Sequence, residues 1–267
     1  MTGAFSGGLN HPVILNNIGN ALQTLGRFDE AEQAYWKAVA ANPDYVKPYR
    51  NLALLYQLGG RADDAILEYR SYLKRVTDDG EAHYNLALLY QSKGSIDEAA
   101  EAFRAAAQYL SPDDAESATN LGVSYYFLGD LEITIEMLQY ALKIDPAFVR
   151  ARYHLGVAYL HQGLCQQAID ALEAVIAATP DYPQAFANLG VAYNTAGQSR
   201  RAIAIFEALI ERRPDDLTAR LNLGLACQDA GLIEKAVECL RRVVAKAVPG
   251  SSRFQKAQMA LLAMESK

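Results

Sequence analysis

Glycine recurs at an almost constant interval along the 267 residues of this chain. Successive members of the series are 34, 34, 35, 34, 34 and 34 residues apart. The seven residues are Gly26, Gly60, Gly94, Gly129, Gly163, Gly197 and Gly231. A fixed period of about 20 to 50 residues is typical of stacked repeats, in which each unit buries its apolar face against its neighbours. The sequence therefore predicts seven similar units and no single central core.

Each unit carries the pattern of two helices. In the sixth unit, Phe186, Leu189, Gly190 and Tyr193 occupy positions 4, 7, 8 and 11, which is the spacing of one buried helical face. A second helix follows the glycine, and in several units it opens with an acidic residue, which the positive end of the helix dipole favours. A loop proline, which cannot continue a helix, ends it in four units. These patterns predict an all-α fold.

The period also sets the expected boundaries. The units are predicted to begin near residues 12, 46, 80, 115, 149, 183 and 217, so that the array covers residues 12–251. Residues 252–267 contain an apolar stripe with polar residues behind it, which predicts a capping helix and favours a chain that is complete. Residues 1–11 are glycine-rich, and we expect them to be a flexible tail.

The order of residues within a unit resembles the tetratricopeptide repeat (TPR) family. Asn-Leu-Gly is followed by tyrosine, then by the turn glycine, an alanine and a final proline, across about nine-tenths of the chain. The departures are local, for example Thr77 in place of the final proline and the absence of tryptophan from the helix-opening position. The resemblance implies a right-handed α-solenoid whose first helices line the concave wall.

Composition and charge exclude several classes of function. Although 51% of the residues are hydrophobic, no run approaches the roughly 18 apolar residues of a membrane-spanning helix, so we expect no membrane insertion. Residues 1–148 contain 11 basic and 20 acidic residues, whereas residues 149–267 contain 14 and 11. Such an acidic half disfavours nucleic acid as a partner. Because residues 1–10 lack the pattern of a secretory signal, we expect a cytoplasmic protein.

Position 6 of the unit is asparagine in six of the seven repeats, on the helix face opposite the predicted core. The seven residues are Asn17, Asn51, Asn85, Asn120, His154, Asn188 and Asn222. An amide offers donors and an acceptor, and these match the N–H and C=O groups of an extended peptide. The row resembles the asparagine ladder of O-GlcNAc transferases, which grips extended polypeptide. The other interpretation is that asparagine serves local packing or hydrogen bonding.

Apolar residues accompany the asparagines at position 9 and near the middle of the array. Those assigned to the candidate peptide groove are Leu54, Leu88, Tyr126, Val157, Val191 and Leu225. Apolar side chains beside a polar row favour a peptide-binding groove. Contact between adjacent first helices is the alternative, and it accounts for at least half of their expected burial.

No catalytic, metal or cofactor site is predicted. The chain lacks the GxxxxGK[ST], HExxH and GxSxG motifs, and His154 and His161 are two helical turns apart without a companion ligand. We therefore predict a non-catalytic interaction scaffold that binds a protein or extended peptide. Two alternatives stay open: the substrate-recruiting TPR portion of a larger enzyme such as a glycosyltransferase, and an assembly or secretion factor. Arginines in the sixth repeat, such as Arg200, also permit self-association through the acidic half of another copy.

Overall fold

The computed structural model describes residues 10–265, and within them it contains fifteen helices and no strand. The predicted tail at residues 1–11 lies almost wholly outside the described residues. The predicted all-α repeat fold is confirmed. In chain order the helices are α1 (Pro12–Thr24), α2 (Phe28–Ala41), α3 (Lys47–Leu58), α4 (Ala62–Leu73), α5 (Gly80–Ser92), α6 (Ile96–Tyr109), α7 (Ala115–Leu128), α8 (Leu131–Ile144), α9 (Val149–His161), α10 (Cys165–Ala178), α11 (Pro183–Thr195), α12 (Ser199–Arg212), α13 (Leu217–Asp229), α14 (Ile233–Lys246) and α15 (Ser252–Glu265).

The helices form two compact units. Unit 1 is Met1–Asp130 and contains α1 to α7, and unit 2 is Leu131–Lys267 and contains α8 to α15. The division falls inside the fourth repeat of the sequence.

In unit 1, α1 packs on α2, α3 on α4 and α5 on α6, and each of these pairs also packs on the helix that follows it. The core lies between the helices of a pair and between neighbouring pairs. Tyr35, Tyr69 and Phe103, at the same position of three successive second helices, are at most 1% exposed. Each repeat thus contributes one large side chain to a continuous apolar layer.

In unit 2 each helix from α8 to α14 packs on the helix that follows it. Leu138, Leu172, Phe206 and Leu240 occupy the position of Tyr35 and are at most 1% exposed. The final helix, α15, packs on α13 and α14 and buries Ala257 completely. Its polar residues do not cover the whole outer face, because Met259 and Leu262 remain 70% and 59% exposed.

The recurring glycine allows the chain to turn between the two helices of a repeat. In the second repeat, the Gly60 N–H donates to the carbonyl of Gln57 at 3.2 Å and the Arg61 N–H donates to the carbonyl of Tyr56 at 2.8 Å. These bonds close the end of α3 and place Gly60 at φ +71°, a conformation that disfavours residues with a Cβ atom. The seven glycines of the series all have φ between +71° and +87°.

A second glycine lets the paired helices approach closely. Gly190 of α11 faces Phe206 of α12, and a Cβ atom added to Gly190 would lie 2.6 Å from the phenyl ring. A Cβ atom added to Gly19, Gly156 or Gly224 would lie 2.4 to 2.8 Å from the buried side chain opposite it. In these four repeats, glycine at position 8 therefore allows the paired helices to pack closely.

The described helices include none that is long and apolar enough to cross a lipid bilayer. All three cysteines are unpaired thiols, with Cys227 and Cys239 in the core of unit 2 and Cys165 half-buried. Burial raises the pKa of both core thiols, which keeps them protonated and unreactive at neutral pH.

Candidate peptide-binding surface

The side chains of the predicted asparagine row differ in how much surface they present. Asn17 of α1 is exposed, and four others are half-buried, namely Asn51, Asn85, Asn188 and Asn222. Asn120 is only 6% exposed, because every residue of α7 from Ala118 to Ser124 is buried and this stretch has no open face. The asparagines therefore offer surface in repeats 1 to 3 of unit 1 and in the last two repeats of unit 2, and His154 of the fifth repeat is half-buried as well.

Asn51 connects the first two repeats. Its side-chain Nδ2 donates to Oδ1 of Asn16 at 2.8 Å and to Oδ1 of Asn20 at 3.0 Å, and both acceptors belong to α1. These two bonds use both N–H groups of the Asn51 amide. Its carbonyl oxygen makes no hydrogen bond among the described residues, and it is the atom that can accept an N–H from a ligand.

Two other asparagines of the row also bond to the preceding repeat. Asn188 donates from Nδ2 to the hydroxyl of Tyr153 at 3.1 Å. Asn85 bonds to the side chain of Tyr69, whose pKa burial raises and this hydrogen bond lowers in part. Hydrogen bonding between repeats is therefore one use of position 6, as the second interpretation of the row expected. The same bonds fix the orientation of each amide before any ligand arrives.

His154 takes the place of asparagine in the fifth repeat. Burial, together with the positive charge of Arg150, lowers its pKa to about 4, so the ring is uncharged at neutral pH. A neutral imidazole has one donor and one acceptor nitrogen, as a side-chain amide has donor and acceptor atoms. The substitution therefore keeps the hydrogen-bonding character of the row.

The predicted apolar residues lie beside the row and are all half-buried: Leu54, Leu88, Tyr126, Val157, Val191 and Leu225. Tyr126 packs edge-on against Phe127 with 5.2 Å between ring centroids, and burial raises the pKa of its hydroxyl. Half-burial agrees with the expectation that much of this apolar area packs against neighbouring helices. The remaining exposed part is available beside the amides.

In unit 1, two of the predicted residues line one open concavity. Asn51 and Leu54 share its wall with Asn20, Gln23, Thr24, Phe28 and Leu58. The Tyr35 hydroxyl lies behind this wall, 2.9 Å from Oδ1 of Asn20 and 2.8 Å from Oε1 of Gln23, and these two acceptors share its single proton. The concavity thus combines oriented amides with apolar side chains, which is the chemistry that an extended peptide requires.

Sequence reasoning missed two residues of this surface, Phe28 and Leu58, which are 52% and 72% exposed. They lie at the first position of α2 and the last position of α3, outside the first-helix face on which the prediction was based. Both also line a neighbouring concavity with Glu32, Tyr56 and Arg61. The signal that could have revealed them is a large apolar residue next to a turn, where nothing in its own repeat covers it.

A hydrogen-bonded cluster supports that second concavity. The Tyr56 hydroxyl donates to Oε1 of Glu32 at 2.8 Å and accepts from Nε1 of Trp36 at 3.0 Å. Arg61 bonds to Oε2 of Glu32 at 2.9 Å and places its guanidinium 4.1 Å from the centre of the Tyr56 ring. These contacts join the second helix of repeat 1 to the first helix of repeat 2. They hold the outer edge of the surface in one arrangement.

Within residues 10–265, no group of three or more histidine, cysteine, aspartate or glutamate side chains has the arrangement of a metal site. The surface consists of amides, apolar side chains and a neutral imidazole.

The repeat model of one family matches nearly the whole array. Models described as tetratricopeptide repeat match residues 12–45, 51–115, 119–183, 162–198 and 187–252. The chain belongs to the tetratricopeptide repeat family. TPR units share a shape formed by helix pairs, while their partners differ from one protein to another. The likeness of the asparagine row to the ladder of O-GlcNAc transferases stays a prediction.

Solved structures agree with this fold. YrrB, a TPR protein with an unusual peptide-binding site, is 24% identical with a TM-score of 0.52, over 70% of this chain and 96% of that one. A tetratricopeptide repeat protein from Parabacteroides merdae is 17% identical with a TM-score of 0.67, over 94% and 98%. A chain of the APC/C hetero-tetramer Cut9-Hcn1 is 17% identical in sequence, with a TM-score of 0.71. The match covers 94% of this chain but only 48% of that one. No curated protein matches the sequence significantly.

Proposed function

We propose that this protein is a non-catalytic TPR scaffold that binds extended segments of partner proteins along the first helices of its repeats. The TPR family and the TPR proteins of similar fold support a role in protein interaction. The main observation in support of peptide binding is the concavity of unit 1, in which the Asn51 amide lies beside Leu54 and the exposed Phe28. YrrB, which has a similar fold, is itself a peptide-binding protein.

The amides contact the backbone of the bound segment, and the apolar residues contact its side chains. Because the hydrogen bonds to the preceding repeat already orient Asn51 and Asn188, a ligand loses little affinity in ordering them. In unit 1 the surface comprises Asn17, Asn51 and Asn85 with Leu54 and Leu88. In unit 2 the corresponding residues are His154, Asn188, Asn222, Val157, Val191 and Leu225.

The test uses a peptide that is selected on the wild-type protein from a random display library. Its affinity is then measured by calorimetry for the variant that combines Asn17→Ala, Asn51→Ala and Asn85→Ala. Three lost hydrogen bonds of about 1 kcal/mol each give a loss of roughly 100-fold, and we expect at least about 10-fold.

The matched control is a variant with three exposed amides of second helices removed, Gln33→Ala, Gln108→Ala and Gln167→Ala. It changes the same number of side-chain amides, and we expect it to bind the peptide as the wild type does. Circular dichroism checks that both variants keep their helicity. Unchanged affinity in the asparagine variant, or an equal loss in the glutamine variant, refutes the proposal.

A further inference from the structure

Helix α1 exposes an apolar face that the other first helices bury. Ile18 is 39% exposed, whereas the residues at its position in the later repeats are at most 7% exposed. Those residues are Leu52, Leu86, Leu121, Leu155, Leu189 and Leu223. In an array, this face of a first helix packs on the repeat before it, and within the described residues α1 has no repeat before it.

The face of α1 is also more apolar than its counterparts. Val13 occupies a position that is polar or charged in every later repeat, and it is 39% exposed. Ile14, 41% exposed, occupies a position where the later repeats have alanine, serine or proline. A terminal repeat that faces water normally carries polar residues on its outer side. The large apolar residues of α1 indicate a surface that becomes covered.

The other end of the array also exposes apolar side chains. Met259 and Leu262 of α15 are 70% and 59% exposed, and Val248, just before this helix, is 74% exposed. Met259 and Leu262 are three residues apart, which places them side by side on one face of the helix. Each end of the array thus carries a small apolar patch.

The two ends carry opposite charge. Residues 12–45 contain two basic and four acidic residues, whereas residues 217–267 contain eight basic and four acidic residues. Two of the acidic residues of the first repeat, Asp29 and Glu30, lie at the start of α2, where Glu30 is paired with Arg27 at 2.6 Å. The basic residues of the C-terminal segment include Arg253 and Lys256 on α15 itself. The opposite net charge of the two end segments favours contact between unlike ends and disfavours contact between like ends.

We propose that α1 of one copy docks on α15 of a second copy, through Val13, Ile14 and Ile18 on one side and Met259 and Leu262 on the other. This contact is heterologous, so that each copy retains one unused face after the first contact has formed. Of the candidate peptide-binding residues, only Asn17 lies on this helix, next to Ile18 and one turn after Ile14. The proposal is argued from the end helices and does not depend on peptide binding.

Sedimentation velocity of the full chain at rising protein concentration tests the proposal. We expect the sedimentation coefficient of the wild type to increase with concentration, and added salt to reduce that increase because it screens the complementary charges. The variant Ile14→Asp with Ile18→Asp, and the variant Met259→Asp with Leu262→Asp, are each expected to remain monomeric. All four residues are exposed, so that circular dichroism is expected to show unchanged helicity.

Mixing the two variants gives the sharpest result. One variant keeps the apolar face of α15 and the other keeps the apolar face of α1. An equal mixture of the two is therefore expected to form a heterodimer and nothing larger. Association of the α15 variant with itself would instead identify a contact between two α1 faces and overturn the proposal. The control is Leu67→Asp with Ile96→Asp, an exposed apolar pair away from both ends, which is expected to associate as the wild type does.

Two further outcomes refute the proposal. A wild type that stays monomeric at every concentration shows that no second copy covers α1, as when another segment of the same chain covers it. Association that persists in both double variants shows that the contact lies elsewhere.

Discussion

The side-chain amide of Asn51 donates a 2.8 Å hydrogen bond to Oδ1 of Asn16, which lies 35 residues earlier in the preceding repeat. One side chain therefore joins two repeats and, through its carbonyl oxygen, can also accept an N–H from a bound peptide. The position that sequence analysis assigned to ligand binding thus has a structural use as well. The observed hydrogen bond and the proposed contact with a peptide involve different atoms of the amide.

The bond between Asn16 and Asn51 predicts coupled effects on stability. Asn51→Ala is expected to lower the free energy of unfolding by about 1 kcal/mol, since Asn16 is 3% exposed and loses its donor. In a double-mutant cycle with Asn16→Ala, the two effects are expected to fall short of additivity by roughly 0.5 to 1 kcal/mol. Urea unfolding followed by circular dichroism measures both. The control is the cycle of Asn17→Ala with Asn51→Ala, whose effects are expected to be additive because Asn17 is exposed. Full additivity of Asn16→Ala with Asn51→Ala would contradict the predicted coupling.

The contact between Gly190 and Phe206 predicts a cost for the smallest possible side chain. Alanine is about 1 kcal/mol better than glycine inside a helix, yet Gly190→Ala is expected to destabilise by about 1 to 3 kcal/mol, because its Cβ would lie 2.6 Å from the ring. Gly59→Ala is the control, since φ there is −80° and a Cβ would meet no atom closer than 3.5 Å. Thermal melting compares the two variants. A Gly190→Ala protein as stable as the wild type would show that the helices separate without cost.

The lowered pKa of His154 predicts a loss of stability in acid. The folded-state pKa of about 4 lies below the ordinary value of 6.5, so that the unfolded chain binds more protons between these pH values. The contribution of His154 is therefore present above pH 6.5 and is lost as pH falls towards 4, by on the order of 3 kcal/mol. His154→Asn restores the residue of the other six repeats and removes this dependence. Unfolding measured between neutral and acidic pH should show the difference, and parallel curves for the two proteins would exclude it.

Much of the fold could be predicted from the sequence, because the constraints that build a repeat are local. Gly60 and its equivalents require positive φ, and Ala65, at the helix approach, is 0% exposed as its size suggests. The periodicity of the apolar residues alone predicts which face of a helix is buried. The exposure of Phe28 and Leu58 could not be predicted in this way, since it depends on how the turn of one repeat meets the helix of the next.

The candidate site could be predicted only in part, for the same reason. Periodicity placed the asparagines on the first helices, but the burial of Asn120 depends on the packing of α7 as a whole. The bond from Asn188 to Tyr153 likewise joins residues whose distance no sequence pattern reports. Both facts concern contacts between repeats. Periodicity describes a single helix, and the arrangement of its neighbours decides which of its residues remain open.

The proposed function depends on contact between the asparagine row and the backbone of an extended peptide. The most direct test compares the selected peptide with versions that carry N-methyl groups on alternate backbone nitrogens, which removes N–H donors and leaves every side chain in place. We expect one of the two alternating patterns to weaken binding by at least about 10-fold, and the other to bind nearly as well as the parent peptide. Equal affinity for the parent peptide and both methylated versions would contradict backbone recognition.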